Sequence, residues 1–255
     1  MKKNRILKQS SIMIVCTIFA FVILFPILIL LFNSFKSLKE IYLSVLSLPD
    51  YFRSIRNSLT VTITVTMANV LCCSMAAWVL VRYKTRTSSV IFTVFSVAIL
   101  VPFQCVMLPL LSLMGKLHLV NMPGLMLVNL GFGSSMSIIL FHGFIKNVPA
   151  ELEEAAAIDG AGQVRIFFTI VTPLIRGISA TVAILNVMGL WNDLTINKKG
   201  LQTLPLKTYL FFGAYTKKWN LGSAALVMAI IPVVIFYVCC QKYIVKGVTE
   251  GAVKG

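Results

Sequence analysis

The chain has 255 residues, of which 58% are hydrophobic and 12% are charged, and its formal net charge is +15. A soluble domain carries about 25% charged residues, so this composition excludes an ordinary soluble protein and predicts one polytopic membrane domain over residues 1–255. The basic residues are scattered among loops and tails, without a basic helix or an aromatic platform, which argues against a nucleic-acid partner and favours contact with anionic membrane lipid.

The sequence contains six successive intervals that are long and apolar enough to cross a lipid bilayer. A spanning helix needs about 20 mostly apolar residues, so these intervals predict an all-α integral membrane protein with about six transmembrane helices. The predicted spans are residues 10–35, 57–81, 88–113, 123–145, 174–197 and 219–241. The fifth span reaches the necessary length only if it continues through Asp193.

The first predicted span follows a short basic head, residues 2–8. This start is similar to a secretory signal peptide, but the apolar stretch is longer than such peptides have and no small-residue cleavage site follows it, so we interpret it as a retained span. Basic residues also lie tight against the end of the second span, in the sequence RYKTR at residues 82–86. By the positive-inside rule, both termini are predicted to lie on the cytoplasmic side of a bacterial cell membrane.

Several predicted spans contain Pro, Gly or Asn residues in their interior. Such residues interrupt or kink membrane helices where a neighbouring helix or a water-filled cavity satisfies the freed backbone groups. Any one of them is more often part of ordinary helix packing. Together they are consistent with a polar pathway through a helix bundle. These residues are Pro26, Asn69, Pro102, Pro109, Asn129, Gly131, Gly133 and Pro232.

Half of the eight carboxylates lie in one short segment, ELEEAAAIDG, between the fourth and fifth spans. Acids complement the positive end of a helix dipole, alanines favour the helix interior, and glycine is a typical helix terminator. The segment therefore predicts a helix of about two turns that starts near Pro149 and stops at Gly160. A second helix is predicted from about Ala161 toward Pro173. The four acids are Glu151, Glu153, Glu154 and Asp159.

Two interpretations of this segment are open from the residues alone. A solvated loop whose acids only complement the helix dipole would explain the three glutamates. The alanine-rich face beside Glu154, followed by a sharp turn at Gly160, favours instead a surface that enters a groove on another protein.

The spacing of this segment resembles the EAA motif of the membrane subunits of ABC importers. One position departs from the motif, because Thr172 stands where the family prefers leucine. In that family the segment is the coupling helix, which docks into a cleft of the cytoplasmic ATPase subunit, so the resemblance implies that residues 149–173 have this role. The residues it assigns to ATPase coupling are Glu154, Ala155, Ala156, Asp159, Gly160, Ile170 and Pro173.

More of the chain resembles one branch of these importers, the carbohydrate-uptake permeases of the maltose-transporter type. The likeness covers nearly the whole chain, in family order, through RNSLTVT, AAWVLVRYKTR, VPAELEEAAAIDGA, LWND, LQTLPL and QKYIVKGVTEGAVKG. The ending GAVKG is typical of the second of the two permease subunits. In the maltose system this tail contacts the ATPase dimer, which implies the same for Gly251, Ala252, Val253, Lys254 and Gly255.

The resemblance implies the transmembrane subunit of a bacterial ABC importer that carries a sugar, expected to be an oligosaccharide, by alternating access. Its implied partners are a second, different permease subunit, a cytoplasmic ATPase dimer, an extracytoplasmic solute-binding protein and membrane lipid. The chain has no P-loop phosphate-binding sequence, so it is predicted not to be an enzyme. ATP and magnesium are expected on the partner ATPase, and this chain is expected to bind no cofactor or metal.

Four residues are candidate sugar contacts, because sugar hydroxyls pair with amides and pyranose rings stack on aromatic faces. Each of these residue types is more often structural. The candidates are Asn129, Asn186, Trp191 and Asn192.

Three alternative functions are open at this stage. A secondary carrier driven by an ion gradient would normally have intramembrane acids or an internal repeat, and the sequence shows neither. An ABC permease for a polyamine, phosphate or peptide would keep the EAA motif, although the tail sequences argue against it. A membrane scaffold without transport activity would leave the EAA spacing as a coincidence.

Overall fold

A computed structural model describes residues 2–35, 38–47, 50–192, 200–209, 211 and 219–252. Within these ranges the regular secondary structure is helical and contains no strand, which confirms the predicted all-α class. The elements in chain order are α1 (Lys2–Phe35), α2 (Leu38–Leu46), α3 (Tyr51–Arg82), α4 (Arg86–Ala98), α5 (Phe103–Lys116), α6 (Met122–Ile145), α7 (Glu151–Ile158), α8 (Gln163–Ile166), a π-helical segment (Phe167–Val171), α9 (Thr172–Leu174), α10 (Arg176–Trp191), α11 (Leu204–Tyr209) and α12 (Trp219–Ala252).

The chain forms two compact units. One comprises residues 1–52 and 207–232, and the other comprises residues 53–206 and 233–255. The first unit contains α1 and α2. The second contains α3 from its third residue onward and every helix from α4 to α10, and the acidic segment lies entirely within it.

Four helices among the described residues are each long and apolar enough to cross a membrane. They are Ile12–Phe32 within α1, Tyr51–Arg82, Met122–Ile145 and Asn220–Gln241. Two helix pairs meet the same criteria only as bent spans, so the described residues hold up to six spans if each bent pair counts as one. The structure is thus that of a multi-pass membrane protein.

The predicted third span, residues 88–113, is not one straight helix. α4 ends at Ala98 and α5 begins at Phe103, and the two helices meet at a bend of 103°. Pro102 lies in this break. Proline has no backbone N–H and disfavours a helical conformation at the residue before it, which interrupts the hydrogen-bond ladder.

α10 occupies the position of the predicted fifth span, residues 174–197. It runs from Arg176 to Trp191, and the helical stretch Gln163–Leu174 approaches it at 80°. Asp193, through which the span was predicted to continue, lies outside the described residues.

α3 carries polar side chains on its buried side and apolar side chains on its exposed side. Its buried polar residues are Ser54, Asn57, Ser58, Thr62, Thr66, Asn69 and Ser74. Its exposed apolar residues include Phe52, Leu59, Ile63, Met67, Leu71 and Val79. The exposed apolar side suits a helix whose outer surface contacts lipid, while Asn57, Ser58 and Asn69 on the buried side pair with groups elsewhere in the chain.

Two apolar clusters hold the second unit together, and α3 contributes to both. The first joins the C-terminal half of α3 to α6, the π-helical segment and α10, through residues that include Ala77, Trp78, Phe141, Phe167, Val171 and Val182. The second joins the N-terminal half of α3 to α5, α6 and α10, through Val61, Val65, Met114, Leu125 and Leu190.

Near its N-terminal end, α3 also holds the segment that follows Gly200. The Asn57 amide nitrogen donates to the backbone carbonyls of Gly200, at 3.0 Å, and Gln202, at 3.3 Å. The Ser58 hydroxyl accepts a hydrogen bond from the Leu204 amide at 2.8 Å. We call residues 200–204 the strapped segment.

Candidate functional site

The acidic segment forms the short helix that the sequence predicts. α7 begins at Glu151, two residues after the predicted start near Pro149. Ala150 is the N-cap, and its carbonyl accepts hydrogen bonds from the amides of Glu153 and Glu154 at 2.9 and 3.0 Å. All three glutamates lie in the first turn, where a carboxylate complements the positive end of the helix dipole.

Gly160 makes the turn that ends α7. Its φ of +83° lies in the left-handed region, which glycine adopts at no steric cost. Its amide donates to the Ala157 carbonyl at 3.0 Å, and the Ala161 amide donates to the Ala156 carbonyl at 2.9 Å. These two bonds form a Schellman motif, which satisfies carbonyls at the end of the helix. The predicted stop at Gly160 is confirmed.

α8 follows this turn. It begins at Gln163, two residues after the predicted start at about Ala161. The π-helical segment follows, and its wider turn is closed by Thr172. Both the hydroxyl of Thr172, at 2.9 Å, and its backbone amide donate to the Phe167 carbonyl five residues earlier. Thr172, which stands where the family motif has leucine, therefore supplies two hydrogen bonds that close the π-helical turn.

One face of α7 is turned into the protein and the opposite face is exposed. Glu153 is buried, and Ala156 packs against the first apolar cluster. Four of the exposed residues recur at spacings of three and four, which places them on the side of the helix opposite Glu153 and Ala156. They are Glu151, Glu154, Ala155 and Ile158, and the exposed residues Leu152 and Ala157 lie beside them. We call these four residues the outward stripe, and Ile158 within it is 86% exposed.

The buried carboxylate of Glu153 accepts hydrogen bonds from two residues of α3. Trp78 donates from Nε1 to Oε2 at 2.8 Å, and Arg82 donates to Oε1 from Nε at 3.0 Å and from Nη2 at 2.7 Å. Arg82 also donates to the backbone carbonyl of Val148 at 3.0 Å. We call Trp78, Arg82, Val148 and Glu153 the inner clasp.

The inner clasp places a charge pair where water has little access. The side chain of Arg82 is 17% exposed and that of Glu153 is 10% exposed. Hydrogen bonds between charged partners are roughly twice as strong as those between neutral ones, and a guanidinium that donates twice to a carboxylate also sets its orientation. The Trp78 ring packs on Phe167, with centroids 5.4 Å apart, so the clasp also touches the π-helical segment.

The inner clasp was missed in the sequence. There, Glu153 was interpreted only through the helix dipole, and Arg82 only through membrane orientation. The sequence carries one weak signal for it. The capping box that holds a glutamate at the third helical position on its own helix has a Ser or Thr N-cap, and α7 has Ala150 there.

Asn186, a predicted sugar contact, lies in a polar cluster between three helices. Its amide nitrogen donates to the Ser137 hydroxyl at 3.0 Å, and its side-chain oxygen accepts from Asn69 at 2.8 Å. Ser137 in turn donates to the Gly133 carbonyl at 2.7 Å. The cluster joins α3, α6 and α10, so the polar groups of Asn186 serve helix packing in this conformation.

The other predicted sugar contacts are spread over two helices. Asn129 is half-buried in α6 and donates to the Leu125 carbonyl of its own helix at 3.1 Å. Trp191, at the end of α10, is 5% exposed. Asn192 is exposed and donates to the Met188 carbonyl at 2.9 Å. Contact between these residues and a sugar stays a prediction.

The remaining residues of the predicted coupling segment and tail differ in exposure. Asp159 is exposed at the C-cap of α7, whereas Ile170 and Pro173 are half-buried. Gly251 is in the last turn of α12, which ends at Ala252. Residues 253–255 lie outside the described part of the chain, and the predicted contact of the tail with an ATPase stays a prediction.

Comparisons with known proteins place the chain among membrane transport components. A family model described as binding-protein-dependent transport system inner membrane component matches residues 68–250. The probable starch degradation products transport system permease protein AmyC of Thermoanaerobacterium thermosulfurigenes is 41% identical over 249 residues, which are 90% of this chain and 91% of the relative. The multiple sugar-binding transport system permease protein MsmG of Streptococcus mutans is 31% identical over 277 residues, and the match covers 100% of both chains.

A solved structure has the same fold. It is the crystal structure of a bacterial ABC transporter involved in the import of the acidic polysaccharide alginate, and the match has a TM-score of 0.79 and 22% identity, covering 95% of this chain and 98% of the other. The family match and the two relatives confirm the resemblance to carbohydrate-uptake permeases that the EAA spacing and the tail predict. The chain belongs to the family of binding-protein-dependent transport system inner membrane components.

Proposed function

We propose that the chain is the transmembrane subunit of a bacterial ATP-driven ABC importer that carries a sugar across the cytoplasmic membrane by alternating access. The family match supports the import function. The two relatives described above are named for starch degradation products and for multiple sugars, which supports an oligosaccharide as the substrate class.

The outward stripe of α7 is the observation that carries this proposal. It combines two carboxylates with an isoleucine that is 86% exposed, on a helix whose opposite face is fixed by the inner clasp. Such a helix can enter a groove on a partner protein with its backbone already ordered. The partner is a cytoplasmic ATPase subunit, which holds ATP and magnesium and whose closure moves α7.

This docking requires α7 to face the cytoplasm. Basic residues lie close to the same ends of the spans as α7, with Lys84 and Arg86 after α3 and Lys146 after α6. Their position agrees with a cytoplasmic location by the positive-inside rule. In this orientation a solute-binding protein delivers the sugar on the opposite side, and a second, different permease subunit completes the pathway.

The proposal is tested by sugar uptake in membrane vesicles that contain the full complex and the binding protein. Glu154→Ala changes the outward stripe, and Gly160→Pro forces a negative φ on the turn. Gly162→Pro is a matched control, because Gly162 already has a φ of −69° and open space around it. Retention of the ATPase subunit on the purified permease is measured beside uptake.

We expect uptake that depends on ATP, that falls in Glu154→Ala and Gly160→Pro together with ATPase retention, and that persists in Gly162→Pro. Uptake that follows an imposed ion gradient without ATP would overturn the proposal in favour of a secondary carrier. Unchanged uptake in both Glu154→Ala and Gly160→Pro would remove α7 from the mechanism.

A further inference from the structure

We propose that the inner clasp is the contact through which movement of α7 reaches the membrane helices. In this proposal Glu153 is a positioning residue: it transmits the movement to α3 and does not bind the ATPase. This inference rests on the proposed function, since it assumes a partner that moves α7. It adds to that function a specific mechanical connection between α7 and α3.

Different residues of α7 form its exposed face and its buried face. The outward stripe is exposed, whereas Glu153 is 8% exposed and its carboxylate is occupied by donors from α3. A partner that binds the outward stripe therefore does not reach the clasp. A mutation can therefore change the transmission of movement to α3 without changing the docking of the ATPase, although both depend on a helix of only eight residues.

The clasp connects α7 to the end of a long rigid element. Arg82 is the last residue of α3, a helix of 32 residues, and it also holds the Val148 carbonyl in the loop before α7. Its charge complements the negative end of the α3 dipole, as Glu153 complements the positive end of the α7 dipole. A displacement of α7 is therefore applied directly to α3 through three convergent hydrogen bonds.

The stretch of chain that connects α7 to α10 is less rigid than the inner clasp. It passes through the turn at Gly160, the π-helical segment and the bend of 80° before α10. The route changes direction at the turn and at the bend, and π-helical segments are rare and often found at functional sites. Since this route can absorb movement, the clasp to α3 is the stiffer connection of the two.

The test uses the full complex reconstituted in vesicles, and compares ATP hydrolysis with and without the sugar-loaded binding protein. Glu153→Gln removes one charge of the clasp with little change in size, and Arg82→Gln removes the other charge together with the guanidinium. We expect each to retain the ATPase subunit and its basal hydrolysis, but to lower uptake and stimulated hydrolysis by at least about tenfold, the factor that corresponds to one charge-assisted hydrogen bond.

Arg86→Gln is the matched control, because Arg86 is an exposed arginine at the start of α4. It removes the same charge near the same membrane surface and is expected to behave as wild type. The double variant of Glu153→Gln with Arg82→Gln distinguishes one shared contact from two independent defects. We expect it to be no worse than either single variant, because residues that act through one contact are not additive.

Trp78→Phe supplies a milder variant that keeps an aromatic ring against Phe167 and removes only the Nε1 donor. If the charge variants do not accumulate in the membrane, this variant decides the question, with uptake normalised to assembled complex. We expect stimulated hydrolysis to fall by about tenfold, because the carboxylate that accepts this hydrogen bond is charged.

Three results would overturn the inference. Stimulated hydrolysis could stay at the wild-type level in the clasp variants, the losses of the two single variants could multiply in the double variant, or the ATPase subunit could dissociate in parallel with lost uptake. The last result would make Glu153 a docking residue. A wild-type complex without ATP-driven uptake would instead contradict the proposed function, and the same assay reports it separately.

Discussion

The side-chain amide of Asn69 donates a 2.8 Å hydrogen bond to the side-chain oxygen of Asn186, and this contact joins α3 to α10. Asn69 has no exposed surface, and Ser137 of α6 extends the contact to a third helix. Hydrogen bonds between membrane helices contribute on average about 0.6 kcal/mol. The cluster therefore contributes more to the relative register of the three helices than to their stability.

Gly133→Ala tests how tightly this cluster is packed. A Cβ atom at Gly133 would overlap Nδ2 of Asn69 and lie 2.7 Å from Oδ1 of Asn186. We expect the free energy of unfolding to fall by about 1–3 kcal/mol, as for overpacking in other cores. Thermal unfolding of the purified permease in detergent measures the change.

Gly131→Ala is the control for this substitution. Gly131 is on the same helix and a Cβ there would meet nothing within 4 Å. Alanine is a better helix former than glycine by about 0.5–1 kcal/mol, so the control should be neutral or slightly stabilising. Equal destabilisation at the two positions would contradict the packing argument.

Gly160→Ala tests the turn after α7. The φ of +83° at Gly160 disfavours any residue with a Cβ, and we expect a loss of about 1–2 kcal/mol in local stability. Gly162→Ala should be nearly neutral instead, because its φ of −69° suits alanine, while glycine is the better N-cap residue for α8. Amide hydrogen exchange of α7 measures both effects. A turn that tolerates both alanines equally would show that the left-handed conformation is not required.

Ile158→Lys tests the outward stripe without changing the free permease. Because Ile158 is 86% exposed, we expect its unfolding free energy to change by less than about 0.5 kcal/mol. Burial of an isoleucine in a partner contributes about 1.5–3 kcal/mol, so the dissociation constant for the ATPase subunit should rise about 10- to 100-fold. Ile158→Leu keeps the apolar contact and should bind as wild type does. An unchanged dissociation constant in Ile158→Lys would place docking elsewhere.

Asn57→Leu tests the attachment of the strapped segment to α3. It removes the donor to the carbonyls of Gly200 and Gln202, so amides of residues 200–204 should exchange roughly fivefold to tenfold faster. Thr60→Ala is the control, because the exposed Thr60 hydroxyl bonds only within its own helix, to the Arg56 carbonyl. Mass-spectrometric hydrogen exchange of peptides that cover residues 200–209 measures the difference. Equal protection in the two variants would show that Asn57 does not hold the segment.

The features of the site that the sequence predicts are those determined by residues that lie close together in the chain. The helix after Ala150 and the turn at Gly160 follow from the order of acids, alanines and glycine, which act within a few residues of one another. Glu153 could not be oriented in the same way, because its partner Arg82 is 71 residues away. Only the packing of α7 against α3 decides which of the three glutamates is buried.

The same distinction applies to the helices. A charge-free interval with an internal proline predicts that a stretch can lie in lipid and can be interrupted, but the bend of 103° at Pro102 is visible only in the structure. Asn186 is predicted to contact a sugar because sugar hydroxyls pair with amides, and this contact stays a prediction. Its partners Asn69 and Ser137 are on other helices and are visible only in the structure.

The contact between Asn69 and Asn186 also has a consequence for the synthesis of the chain, because 117 positions separate the two residues. Bacterial ribosomes add about 5–20 residues per second, so α3 enters the membrane roughly 6–23 s before α10 exists. During that time Asn69 on the buried side of α3 has no partner from α10. The hydrogen bond between Asn69 and Asn186 therefore forms only late in translation, and a chain truncated before α10 lacks it.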